Sequence, residues 1–179
     1  RPVAASALLV ANPSFGGAVS PDLDTREVVR PLPEAEAEAR EIAALLAGAE
    51  ILHGEDASET SVRSSMDRYD VVHFGTHAWI VADQPMSSSL LLAGGARSVE
   101  EARLDPVSPL DGVLTGYEVL GIELKPGAMI TLAACESIGR GARRGEGVVG
   151  LARGFFEAGA GTVIGSLWPV EDRATRELM

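Results

Sequence analysis

Two side chains in this sequence are suited to covalent chemistry at neutral pH, and each stands just past an apolar run. His77 closes Val71-Val72-His73-Phe74-Gly75-Thr76-His77, and Cys135 follows Thr131-Leu132-Ala133-Ala134. In layered α/β sheets, ligands sit outside the carboxyl ends of the strands, so these are the positions to inspect. If the two runs are parallel neighbours, a thiol and an imidazole converge. A thiol is mostly protonated at neutral pH; an adjacent imidazole takes its proton or stabilises the thiolate, giving a nucleophile for acyl transfer. Taken alone, Cys135 also reads as a small buried hydrophobe. His73, inside its run, reads as a hydrogen-bonded core group, and His53, beside Gly54-Glu55-Asp56, as a loop residue. Three scattered histidines and a single cysteine argue against a metal centre and against an internal disulfide framework.

Other chemistries are excluded by context. Gly145-Glu146-Gly147-Val148-Val149-Gly150 fits G-x-G-x-x-G and opens a helical pattern, with Glu171 further on. A dinucleotide fingerprint needs its first glycine directly after a strand, whereas a polar stretch containing Arg140, Arg143 and Arg144 intervenes. Lys125, the only lysine, follows no glycine loop, so there is no phosphate-cradling P-loop. Gly165-Ser166-Leu167-Trp168 lacks the second glycine of a serine-hydrolase elbow.

The elements that must position His77 and Cys135 follow from the apolar pattern. Strand-like runs at 7–11, 50–53, 71–75, 89–93, 129–134 and 162–166 alternate with helical or loop stretches, which predicts an α/β layer sheet. Pro33 can start a helix whose stripe Ile42, Leu45, Leu46 and Ala49 reaches a stop near Gly48. The segment 58–68 is expected to form a second helix, begun by a Ser or Asp cap. A third, 147–158, is apolar on most of its circumference and is expected to be buried. The runs 129–134 and 162–166 lack in/out alternation, as expected of central strands covered on both faces. Glycine and proline concentrate in three long loops, 12–33, 94–112 and 137–147. At 179 residues, 46% hydrophobic, the chain suits one domain with a real core. Its 26 acidic against 15 basic residues leave a net charge of -11, the wrong sign for neutralising phosphates, so no nucleic acid is expected as a partner. No apolar run is long enough to span a membrane, and a lone thiol suits a reducing, cytoplasmic setting. The sequence stops within what reads as a fresh helix after Pro169, so the domain is expected to be incomplete there.

The motifs together resemble one family. Ala133-Ala134-Cys135-Glu136-Ser137, then Gly145 to Phe156, Ala158-Gly159-Ala160, and Ser166-Leu167-Trp168-Pro169-Val170-Glu171-Asp172 closely resemble the CHAT domain. His73-Phe74-Gly75-Thr76-His77 matches that family's histidine motif. The histidine-first order is also similar to that of caspases, where it lies about 50 residues upstream of the cysteine. CHAT domains are similar to caspases and separases, cysteine peptidases on a caspase-like α/β sandwich: three layers, a mostly parallel central sheet flanked by helices. The resemblance spans most of the chain and implies a single such domain over 1–179. It makes His77 the base and Cys135 the nucleophile, with the amides of Ala78 and Cys135 forming the oxyanion hole. The family usually has glycine after the histidine; Ala78 keeps the N–H but disfavours a positive φ. Trp79 and Trp168 are candidate walls of the substrate cleft. Asp172, at the position of a separase aspartate thought to face the residue before the scissile bond, would favour Arg or Lys there. The alternative reading of Asp172 is a helix cap, and of Trp79 core packing.

The resemblance implies a protein substrate, no cofactor, and regulation by tetratricopeptide repeats or another region outside this chain, with no membrane partner. The arginine- and glycine-rich loop 137–146 reads either as an ordinary solvated loop or as an activation or substrate loop. The rival to the peptidase is a pseudopeptidase of the same fold, used as a regulated protein-interaction module. A third candidate is a small-molecule thiol hydrolase.

Overall fold

The computed structural model describes residues 3–16, 28–81, 83–94, 111–133 and 146–165. Strand β1 (Val3–Pro13) contains the run Ala7 to Ala11, whose residues are all buried. It is flanked on both sides by parallel partners, β2 (Leu46–Gly54) and β3 (Val71–Gly75). β3 pairs in turn with β7 (Met129–Leu132), and β7 with β8 (Thr162–Gly165), again parallel. The large sheet therefore has the order β2-β1-β3-β7-β8, with β3 at its centre. Helix α1 (Pro33–Leu45) lies on one face; α2 (Glu59–Arg63), α3 (Gly116–Val119) and α4 (Glu146–Glu157) belong to the other. This is the expected three-layer sandwich.

Side-chain alternation along β3 explains how the layers separate. Val72 and Phe74 point into the main core with Leu8, Val10, Ile130, Leu132, Leu151 and Phe155. Phe74 and Phe155 rings lie 5.8 Å apart, locking α4 onto the sheet. His73 and Gly75 face α1, where a Cβ at Gly75 would come 3.0 Å from that of Ala35. A second, antiparallel sheet of three short strands, β4 (Ala78–Trp79), β5 (Ser89–Leu91) and β6 (Val113–Thr115), leaves β3 just after His77.

Four expectations need correcting. Pro33 does open α1, but the helix ends at Leu45, which is exposed, while Leu46 and Ala49 belong to β2. The helix buries Ala35, Glu38 and Ala39 instead, and the spacing of Leu45, Leu46 and Ala49 only imitates a helical stripe because the parallel ladder to β1 claims that backbone. The run 162–166 is not covered on both faces as expected: among the described residues β8 is the edge strand, and Ile164 is exposed. Helix α4 is not buried all round, since Val149 and Phe156 are 61% and 50% exposed. The segment 58–68 breaks into α2, capped by Ser58 accepting from the Ser61 N–H at 3.2 Å, and a 3-10 turn Met66–Arg68. Most of the three long loops lies outside the described residues.

Glycine explains the face of α4 that is neither core nor exposed. A Cβ on Gly150 would come 1.9 Å from the Pro85 carbonyl oxygen, and one on Gly154 2.7 Å from that of Gly116. Backbone thus meets backbone where α4 crosses the 3-10 turn Pro85–Ser87 and the start of α3. We expect Gly150→Ala to destabilise the fold by about 1–3 kcal/mol, the usual range for overpacking. Gly48→Ala, with its nearest neighbour at an ordinary 3.6 Å, should change stability by less than about 0.5 kcal/mol. Urea midpoints of the two variants test this; equal midpoints would contradict it.

Candidate active site

β3 ends at Gly75, and the chain then turns from the large sheet into the small one. Thr76, fully buried, donates its hydroxyl to the Leu91 carbonyl, and the Leu91 N–H donates to the His77 carbonyl at 2.9 Å. His77 is thereby fixed through its backbone at the carboxyl end of the sheet, half-buried. Its Nε2 donates to the Arg30 carbonyl at 2.8 Å. A carbonyl can only accept, so Nε2 carries the proton and the basic lone pair of the neutral ring is on Nδ1. The Phe15 ring meets the imidazole edge-on, 5.0 Å between centroids.

The carbonyl of Arg30 was not visible as a site residue in the sequence, because a backbone acceptor carries no side-chain signature. The one available signal was Pro31: a residue before proline is held extended, which limits where its carbonyl can point. The same segment is pinned by the Leu32 N–H donating to Asn12 Oδ1 at 2.7 Å, with Asn12 in a left-handed conformation, φ 45°.

Ala78 and Trp79 form β4, paired with Leu90 and Ser89. Asn12 is the one non-glycine residue with positive φ among those described, so Ala78 sits in ordinary extended backbone and alanine is unstrained there. Trp79 is fully buried and packs with Phe15, Leu91 and Val113, while Val29 and Leu32 flank the cluster. Its indole N–H makes no hydrogen bond among the described residues. Trp79 therefore adjoins the site through Phe15. Cys135, Trp168, Asp172 and the loop 137–145 lie outside the described residues.

Two buried polar groups support this region. On the α1 side, burial pushes the His73 imidazole down to about 4, so it is neutral at physiological pH. Its Nδ1 is 2.7 Å from Thr131 Oγ1, and its Nε2 3.5 Å from Glu38 Oε1. Behind the small sheet, Thr115 and Glu118 form a capping box at α3: the Glu118 N–H donates to Thr115 Oγ1, and the Thr115 N–H donates to Glu118 Oε2 at 2.8 Å. Arg63 bridges Glu118 at 3.5 Å and Glu59 at 2.9 Å, and Glu59 accepts from the Gly112 N–H. Burial, with Glu59 and Asp111 adding like charge, pushes the Glu118 carboxyl up to about 7.

Among the described residues a parallel five-stranded sheet lies between helices, with a histidine fixed past the end of β3, and this defines a caspase-like α/β sandwich. The chain belongs to the CHAT domain family, which it matches over residues 1–179. It is similar to tetratricopeptide repeat protein 28 of Homo sapiens, 29% identical over 191 residues covering 95% of this chain and 7% of that protein. The protein of the same name from Mus musculus is 29% identical over 193 residues, 95% of this chain and 8% of its own length. The chain thus spans less than a tenth of these curated relatives. Among the described residues, no helix is long and apolar enough to cross a membrane.

The two shifted groups act on stability with opposite signs. His73 falls from an ordinary 6.5 to about 4, so between those values the unfolded chain binds the extra proton and stability is lost as pH falls. Glu118 rises from 4.5 to about 7, so there the folded chain holds the extra proton and stability is lost as pH rises. Glu118→Gln keeps the cap but removes the second slope. Relative to wild type, it should gain about 1–3 kcal/mol between pH 4.5 and 7, read from urea midpoints. Parallel pH profiles would contradict the burial of an ionisable Glu118.

Proposed function

We propose that this chain is the catalytic domain of a cysteine endopeptidase, with Cys135 the nucleophile and His77 the general base and acid. The observation that carries the reading is the β3–β7 ladder, whose pairing ends with Phe74 opposite Leu132. His77 and Cys135 each stand three residues further along the chain. The Arg30 carbonyl supports it, since it holds His77 in the tautomer with the lone pair on Nδ1. Membership of the CHAT family supports it as well. We take residues 1–179 as one domain of a longer protein.

The proton on Cys135 Sγ passes to His77 Nδ1, and the thiolate attacks the carbonyl carbon of the scissile peptide bond. The displaced electron pair moves to the carbonyl oxygen, which the amides of Ala78 and Cys135 stabilise; one such donor contributes about 3–4 kcal/mol in related sites. Collapse breaks the C–N bond, and the leaving amine takes the proton from Nδ1. Water then gives a proton to Nδ1 and attacks the thioester, releasing the acid and restoring the thiolate–imidazolium pair. No cofactor enters. Ala78 serves through its N–H alone, in an extended conformation that alanine adopts without strain.

The substrate is a protein cleaved after Arg or Lys, with Asp172 as the acidic floor of the pocket and Trp168 as its wall, whereas Trp79 packs in the core behind the site. The net charge of -11 favours approach of a basic partner. Repeats outside this chain supply the regulatory arm, in keeping with the printed name of its relatives. The protein acts in the cytoplasm.

The test needs no known substrate. Alkylation of Cys135 should titrate with an apparent pKa well below about 8.5, and His77→Ala should move it back up towards that value. A thiol that reacts slowly at every pH in both proteins would make the chain an interaction module instead. On a peptide panel, cleavage should follow Arg and Lys and weaken in Asp172→Asn; preference for Asp or a bulky apolar residue would reject the pocket.

A further inference from the structure

One buried polar chain on the α1 side of the sheet has no part in the chemistry above. His73 of β3 and Thr131 of β7 stand directly opposite each other in the parallel ladder, and both are buried. Nδ1 of His73 is 2.7 Å from Thr131 Oγ1, and across the ring Nε2 faces Oε1 of buried Glu38 of α1 at 3.5 Å. The 3.5 Å approach to Glu38 is too long for a hydrogen bond, so among the described residues the hydrogen bond between Nδ1 and the threonine hydroxyl is the one specific polar contact between side chains of the two strands.

The apolar neighbours do not define how β3 and β7 align. Side chains alternate between faces, so a slip of two residues leaves every one on its own side of the sheet. Phe74 would meet Ile130, or Val72 would meet Leu132, and either exchange keeps the core apolar. His73 fares differently. After such a slip it would face Met129 or Ala133, whose side chains give no comparable hydrogen bond, and a buried ring nitrogen and a buried hydroxyl would be left unsatisfied. Parallel strands rise about 3.3 Å per residue, so the slip would displace one strand end by about 7 Å, beyond any thiol–imidazole contact.

We propose that the His73–Thr131 pair, backed by Glu38, is the register key of the β3–β7 ladder and so positions His77 level with Cys135. Only that last clause rests on the dyad reading. His73 and Thr131 are positioning residues; neither touches the reacting atoms.

The test compares Thr131→Val, Thr131→Ser and the double variant His73→Leu/Thr131→Val. Cross-strand NOEs between Phe74 and Leu132 and the alkylation rate of Cys135 are the two readouts. Removing both polar partners together leaves neither unsatisfied, so the double variant should fold. It should nevertheless show doubled or displaced Phe74–Leu132 contacts and alkylate roughly tenfold or more slowly, while Thr131→Ser keeps the wild-type pattern. A double variant with one wild-type set of contacts overturns the proposal, whatever its thiol does. If that variant does not fold, Thr131→Val decides: a single wild-type contact set there, matching Thr131→Ser, also overturns it. Wild-type alkylation that is independent of His77 rejects the dyad and leaves the NOE comparison to judge the key.

Discussion

Backbone meets backbone where α4 crosses the 3-10 turn at 85–87 and the start of α3, and that approach is possible only because positions 150, 154 and 116 lack a side chain. A Cβ on Gly116 would itself lie 2.9 Å from the Met86 carbonyl. Through this contact the helix that follows β7 is seated on the segment that follows His77. The two ends of the β3–β7 ladder are thereby joined twice, once in the sheet and once beyond it. Polar capping completes the joint: Thr115 and Glu118 close the start of α3, and Arg63 ties Glu118 to Glu59 of α2. Little of this is exchangeable, since the close contacts fall on backbone and not on the flexible ends of side chains.

Around that frame the site is built from main chain as much as from side chains. The Arg30 carbonyl sets the tautomer of His77, the Leu91 N–H holds its carbonyl, and Ala78 follows directly in a short strand. Phe15 and Trp79 form an apolar layer beside the imidazole. Burial disfavours the charged form of both His73 and Glu118, which lowers the pKa of the imidazole and raises that of the carboxyl. In the proposed peptidase the large sheet sets the alignment of His77 and Cys135, and the small one carries the Ala78 amide.

Much of the large sheet was legible in the sequence because its strands are long apolar runs: 7–11 and 71–75 fall where expected, and Pro33 marks the first turn of α1. The end of that helix was not, because Leu45, Leu46 and Ala49 satisfy a helical spacing that the β1–β2 ladder overrides. Strands of two or three residues, such as β4 and β6, are too short to show alternation. The nucleotide-like glycine pattern has a packing reason at Gly150, which no local pattern distinguishes from a ligand-binding one. His77 stood out by its type at a strand end, whereas its partner at Arg30 is a carbonyl brought near from 47 residues away.

The most direct measurement is covalent trapping. Incubated with a peptidyl acyloxymethyl ketone carrying arginine at the residue next to the warhead, the protein should gain the mass of one peptidyl group on Cys135. Cys135→Ser should gain none, and His77→Ala should label far more slowly. Labelling of wild type and His77→Ala at the same rate, or no adduct on Cys135 in any longer form of the protein, would contradict a Cys135–His77 peptidase.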